Sequence, residues 1–194
     1  MPDAMFHEAV PGAPLIGRQT LSGASVTVSR AAPLVRFVFR GGAAAVGKAG
    51  AAFGASLPMH PLGSNVVGAR AALWQGPDEW LLLARPAEPE PGAVDALARA
   101  LAAESATALD GTPHSLVDVS ERNVALLIEG EGAVELLNSH VFLDLSPEAF
   151  PPGTVSRTLF TKAEIVLWRC TEKSFALECW RSFAPYVEGH LAEA

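Results

Sequence analysis

The stretch Leu34–Phe53, LVRFVFRGGAAAVGKAGAAF, decides the fold class, because its order of elements returns at Asn123–His140, NVALLIEGEGAVELLNSH. Each copy opens with an apolar run of strand length, breaks at glycine and continues at helical spacing. Leu34–Phe39 reads as a strand, Gly41–Gly42 as a turn and Ala43–Phe53 as a helix. In the second copy Asn123–Ile128 is the strand, Gly130 and Gly132 the turn, and Ala133–His140 the helix, with Leu136 and Leu137 facing inward.

Moving outward, each copy runs into a proline loop: Pro58 and Pro61 in the first, Pro147, Pro151 and Pro152 in the second. The first loop leads to strands Ala69–Trp74 and Glu79–Ala84, joined by Gly76–Pro77–Asp78, then to a helix over Ala93–Glu104. The second leads to strands Val155–Phe160, Glu164–Cys170 and Ser174–Trp180, then to a helix over Phe183–Leu191 with Ser182 as its N-cap. Overlaid, Gly41 matches Gly130 and Pro58 matches Pro147; Trp80 matches Phe175 and Leu82 matches Leu177 after an inserted strand. The fold class expected is α+β: two pseudo-symmetric halves of antiparallel sheet with covering helices. Chance alignment of two strand–Gly–helix units is the alternative to duplication.

Residues 1–24 are punctuated by Pro2, Pro11, Gly12, Pro14, Gly17 and Gly23 and read as an irregular arm. The remainder, 25–194, reads as one domain of two repeats, about 25–107 and 114–194. In the last hairpin a loop at Thr171–Ser174 would set Cys170 opposite Phe175 and Trp168 opposite Leu177, with Cys170 and Cys179 on one face. They would lie about 13 Å apart at ~3.3 Å per residue, too far for a disulfide, so two buried thiols are expected.

Acidic residues outnumber basic ones 21 to 14, and no Lys/Arg stripe stands out, which argues against nucleic acid or an anionic membrane. No apolar run approaches the roughly 18 residues of a membrane helix. The N-terminus carries Asp3 and Glu8 with no basic region before an apolar one, so a cytoplasmic location is expected. Charged residues are 18% of the chain against the roughly 25% usual, leaving weakly polar surface for a partner to cover.

Motifs that carry chemistry are missing from the sequence. His7, His60, His114, His140 and His190 stand at no metal-ligand spacing, and Cys170 and Cys179 fit no zinc knuckle, so no metal site is expected. Ser56 in GASLP lacks the second glycine of a nucleophile elbow. Gly130-Glu131-Gly132 lacks the third glycine of a dinucleotide turn, and Glu131 would repel a pyrophosphate; a tight turn using φ > 0 is the plainer role. No catalytic residue is assigned. Five residues stand as pocket or interface candidates: Trp80, Asp118, Ser120, Arg122 and Arg181. Asp118 and Ser120 form either a pocket lip or a hydrogen-bonded strand entry. Trp80 is either a stacking face or a core aromatic beside a turn. Arg181 either binds a partner's carboxylate or is merely solvated.

At GPDEWLLL (Gly76–Leu83), VDVSER (Val117–Arg122), Leu137 to Asp144–Leu145, FPPG (Phe150–Gly153) and RSFAPY (Arg181–Tyr186), the chain resembles the gamma subunits of heterotetrameric sarcosine oxidase. The likeness covers about residues 24–192. It implies a fold similar to the folate-binding part of glycine-cleavage aminomethyltransferases, whose further C-terminal barrel this length would not accommodate. It implies a complex that oxidatively demethylates sarcosine to glycine with oxygen and tetrahydrofolate. FAD, FMN and NAD are expected on the alpha and beta partner subunits, zinc on the delta subunit, and no cofactor on this chain. A non-catalytic assembly subunit follows. Two other readings are the same subunit of a related N-methyl amino acid dehydrogenase, such as one acting on N-methylglutamate, and a free-standing folate binder that stacks its ligand on Trp80 near Arg122.

Overall fold

The structure, a computed structural model, describes residues 16–21, 23–88 and 90–193. In chain order the elements are β1 (Ile16–Leu21), β2 (Ala24–Arg30), β3 (Val35–Gly41), α1 (Ala43–Phe53), β4 (Ser64–Val67), β5 (Arg70–Gly76), β6 (Glu79–Ala84), α2 (Ala93–Ala108), β7 (His114–Asp118), β8 (Asn123–Glu129), α3 (Ala133–Asn138), β9 (Val155–Phe160), β10 (Ala163–Arg169), β11 (Ser174–Trp180) and α4 (Ala184–Glu193). They form two antiparallel sheets, ordered β1-β2-β8-β11-β10-β9 and β4-β5-β6-β3-β7. The chain divides into two compact units, residues 33–120 and residues 121–193 together with the described residues up to 32.

Each unit has its own apolar core. In the first, Phe37, Phe39, Trp80 and Leu82 meet Ala45, Val46, Ala49 and Phe53 of α1 and Leu101 of α2. In the second, Leu126, Ile128, Phe175 and Leu177 meet Leu136 and Leu137 of α3 and Val187 and Leu191 of α4. Each such Val, Leu, Ile or Phe side chain contributes about 1.5–3 kcal/mol by leaving water, so these faces, not helix propensity, fix the elements. The register repeats as well. Phe39 lies opposite Trp80 and Phe37 opposite Leu82, while Ile128 lies opposite Phe175 and Leu126 opposite Leu177.

Apart from β1, the two strand orders are the same, with β7, β3, β6, β5 and β4 standing where β2, β8, β11, β10 and β9 stand. The strand that opens each repeat pairs in the sheet of the other: Val28 lies opposite Ile128, and Leu116 opposite Phe39. The sequence limits 25–107 and 114–194 cut across this exchange, because they assign each opening strand by position in the chain.

Several expectations are corrected. Within the stretch read as an irregular arm, Ile16–Leu21 is β1, paired with β2; residues 1–15 lie outside the described residues. In β2, Val26 and Val28 point into the core, an alternation that 24–30 displays once read at period two. No strand is inserted in the second half, since β4 matches β9; SNVV is too short and polar to show a period. Ser182 does not cap α4 but sits inside a 3-10 turn, Arg181–Phe183, that precedes it. In the last hairpin Arg169, not Cys170, faces Phe175, and Leu167 faces Leu177. That one-residue slip puts Leu167 and Cys179 on the core face and turns Trp168 and Cys170 to the other. Its cause is Arg169, whose guanidinium lies 5.1 Å from the Phe175 ring centre and takes up the turn carbonyls. Both cysteines are buried, and they form no disulfide.

Gly130 ends β8 at φ +126, a region L residues rarely adopt, and a Cβ there would strike the Ser25 carbonyl and sit 3.1 Å from Val26 Cα.

Candidate functional site

The five candidates fall in three places. Trp80 is 1% exposed, packed against Phe39, and its indole N–H donates to the Pro58 carbonyl at 2.7 Å. Its ring offers no open face on which a ligand could stack, so a folate held there does not fit. Asp118 and Ser120 are joined locally: Asp118 Oδ1 accepts from the Ser120 amide at 2.9 Å and from its hydroxyl at 2.6 Å. Ser120 Oγ in turn accepts from the Arg36 amide at 2.9 Å, closing the β3–β7 pair beyond its last rung.

Arg122 and Arg181 come together at the end of β11. The Arg181 amide donates to the Arg122 carbonyl at 2.7 Å. Its Nε donates to the Glu121 carbonyl at 3.0 Å, and its Nη2 pairs with Glu121 Oε2 at 3.0 Å. Both partners are solvated, so the pair is worth at most about 1 kcal/mol and orients more than it stabilises. Arg122 stacks its Cζ 5.5 Å from the Trp180 ring centre and donates from Nε to Asn123 Oδ1 at 3.1 Å.

The stretch around these arginines carries residues that sequence reasoning left out. After β11 the 3-10 turn feeds α4, whose first turn accepts Pro185 because it needs no N–H there. Ala184, Val187 and Leu191 face the core. At a spacing of three, Trp180, Phe183 and Tyr186 stay 44%, 41% and 36% exposed. Trp180 and Phe183 are in ring contact at 6.5 Å, and Tyr186 Oη shares a hydrogen bond with Thr161 Oγ1 at 2.6 Å. The period-three aromatics in WRSFAPY, set against the inward Ala184 and Val187, are the signal that would have found them.

Beside this stripe His140, at the end of α3, packs against Phe160 at 4.7 Å and His190 at 5.6 Å, and Tyr186 meets the His190 ring edge-on at 4.5 Å. Burial first, and then the His190 ring, hold the His140 pKa below its ordinary 6.5. The other unit has an apolar groove of about 380 Å³ along α1, lined by Val46, Gly47, Gly50, Gly54, Leu57 and Val67. Among the described residues no three His, Cys, Asp or Glu side chains group as a metal site, and no helix is long and apolar enough to cross a membrane.

The sarcosine oxidase, gamma subunit family model matches residues 40–194. The chain belongs to that family. Curated relatives named sarcosine oxidase subunit gamma agree: 34% identity over 64% of this chain with an Arthrobacter sp protein, and 32% over 74% with one from Corynebacterium sp. (strain U-96). The matches span 57% and 65% of those relatives' lengths. Among solved structures, heterotetrameric sarcosine oxidase from Corynebacterium sp. U-96, in complex with pyrrole 2-carboxylate, contains a chain that superposes at TM-score 0.77 and 26% identity, covering 90% of this chain and 86% of that one. Glycine cleavage system aminomethyltransferase T from Bartonella henselae superposes at TM-score 0.61 and 14% identity, covering 84% of this chain and 44% of that one, a likeness of fold alone. This chain therefore shares its two-sheet fold with part of the aminomethyltransferase.

Proposed function

We propose that this chain is the gamma subunit of a heterotetrameric sarcosine oxidase and serves the complex by assembly. The observation that carries the reading is the superposition on a chain of that oxidase over 90% of this chain at TM-score 0.77. In this reading the complex demethylates sarcosine to glycine in the cytoplasm. FAD, FMN and NAD sit on the alpha and beta partners, zinc on the delta partner and tetrahydrofolate on the partner subunits, and this chain presents a docking surface to them. The enclosed Trp80 and the internally satisfied Asp118–Ser120 pair support a scaffold role for those residues.

Co-expression tests it. With this chain present, the four subunits encoded together should purify as one yellow complex that turns over sarcosine. Without it, the yield and turnover of that complex should fall at least tenfold. Full assembly and full turnover in its absence would overturn the proposal.

A further inference from the structure

We infer that the stripe Trp180–Phe183–Tyr186, with Arg122 at its head, is the face on which this chain docks to a carboxylate-bearing apolar surface of a larger subunit. The inference rests on the gamma-subunit reading and assigns its contact surface. Exposed aromatics forgo the stabilisation that burial would give, and these three follow one another at a spacing of three through the end of β11, the 3-10 turn and the first turn of α4, with Trp180 and Phe183 in ring contact, so they form a cluster rather than scattered exposure. Trp, Tyr and Arg are the residue types that dominate binding energy at protein interfaces.

The charge pattern selects the occupant. The chain has 14 basic residues against 21 acidic, yet Arg122 is a local exception. Among the described residues no carboxylate lies within ion-pair reach of it, and its guanidinium is already ordered over Trp180 and held by Asn123 Oδ1. A stacked guanidinium keeps its outer N–H groups free for a two-point hydrogen bond to a carboxylate, and little further side-chain freedom is lost on binding. The Glu121–Arg181 pair flanks the stripe as a solvated rim. Glu121 and the acidic excess disfavour a nucleic acid or an anionic bilayer. A second copy meeting this face about a two-fold axis centred on Arg122 would set that cation against its own image.

The test uses the full chain co-expressed with the other oxidase subunits, with capture by a tagged large subunit measured over a concentration series. Arg122→Glu should weaken capture at least about tenfold, and Trp180→Ala with Phe183→Ala about a hundredfold or more. Arg122→Lys should lose less than Arg122→Glu. Met59→Ser and Leu159→Ser, at exposed apolar positions off the stripe, should capture like wild type. Thermal unfolding of the isolated full-length variants should stay near wild type; if the double variant misfolds, the exposed Arg122→Glu change still decides. Capture of wild type with undiminished capture of the folded Arg122→Glu and double variants would overturn this face while leaving the subunit reading standing. No capture of wild type would overturn both. Self-association of the isolated chain that the double variant abolishes, with large-subunit capture unchanged, would assign the stripe to a second copy and overturn the proposal.

Discussion

The two proline loops occupy matching places in the two halves, yet they are tied down by different chemistry. In residues 33–120 the loop is held by neutral side-chain donors: the Trp80 indole donates to the Pro58 carbonyl, and the Asn65 amide to the Ser56 carbonyl and hydroxyl. In the other half Phe175 stands at the place of Trp80 and has no N–H to give. The donor has moved to the neighbouring strand, where Arg169, 2% exposed, sits directly across from Phe175. Its Nη1 donates to the Leu145 and Phe150 carbonyls at 3.2 and 2.9 Å, its Nε to Thr171 at 3.2 Å and its Nη2 to Glu172 at 2.6 Å. Burial lowers the Arg169 pKa below its usual value, Glu172 and Glu148 offset part of that, and the hydrogen bonds of the cation go to neutral carbonyls. Repetition has kept the strand order and the need for a donor, while the residue that supplies it differs.

Four measurements would break or sharpen that contrast. The largest effect should come from Arg169→Met, which leaves several buried carbonyls without a donor; a loss of about 3–4 kcal/mol is expected by urea denaturation. If it costs no more than the tryptophan change below, the asymmetry is illusory. Next is the pair of matched turn glycines. Gly130→Ala should cost about 3 kcal/mol, from positive φ and collision with the Ser25 backbone. Gly41→Ala should cost less, about 1–2 kcal/mol, because Gly41 is not at positive φ and its Cβ would crowd Ala45 Cβ and the Phe39 ring rather than a backbone carbonyl. Equal losses at the two sites would refute the distinction. Trp80→Phe removes one neutral donor and should cost about 1–2 kcal/mol, seen as a lower urea midpoint.

The smallest effect is a pH slope in the Arg169-bearing half. His140, facing His190, Tyr186 and Phe160, has a folded pKa below its unfolded 6.5, so on acidification the unfolded chain takes the proton first. The stability from burying neutral His140 is complete above about pH 6.5 and is lost as pH falls from 6.5 through the folded value. Urea midpoints at about pH 7.5 and 5.5 should therefore differ more for wild type than for His140→Gln. Parallel midpoints would exclude this contribution.

The halves were legible because strand and helix periods and turn glycines are local signals: α1 and β6 fall at Ala43–Phe53 and Glu79–Ala84, where the pattern places them. Pairing is not local. Nothing in ASVTVSR tells that Val28 belongs beside Ile128, and nothing in TEKS fixes the hairpin register that the buried Arg169 imposes. At the candidate surface the sequence offered Arg122 and Arg181 as isolated charges. That Arg122 lies over Trp180 depends on β8 and β11 being neighbours, a fact of the sheet. Trp180 and Phe183 looked like ordinary apolar residues because composition does not show which side of the β11 end and of the 3-10 turn is outward.

The exchange of opening strands has a consequence for synthesis on the ribosome. When residues 33–110 have left the exit tunnel, their sheet still lacks its outer strand, His114–Asp118, while Ala24–Arg30 waits for a neighbour, Asn123–Glu129, that is still inside the tunnel. The nascent chain thus carries an unmatched edge through the middle of its elongation, and closure by distant segments of this kind is slow and open to misassociation. Timely emergence of residues 114–129, more than the strength of either half, governs when this protein becomes safe from its neighbours.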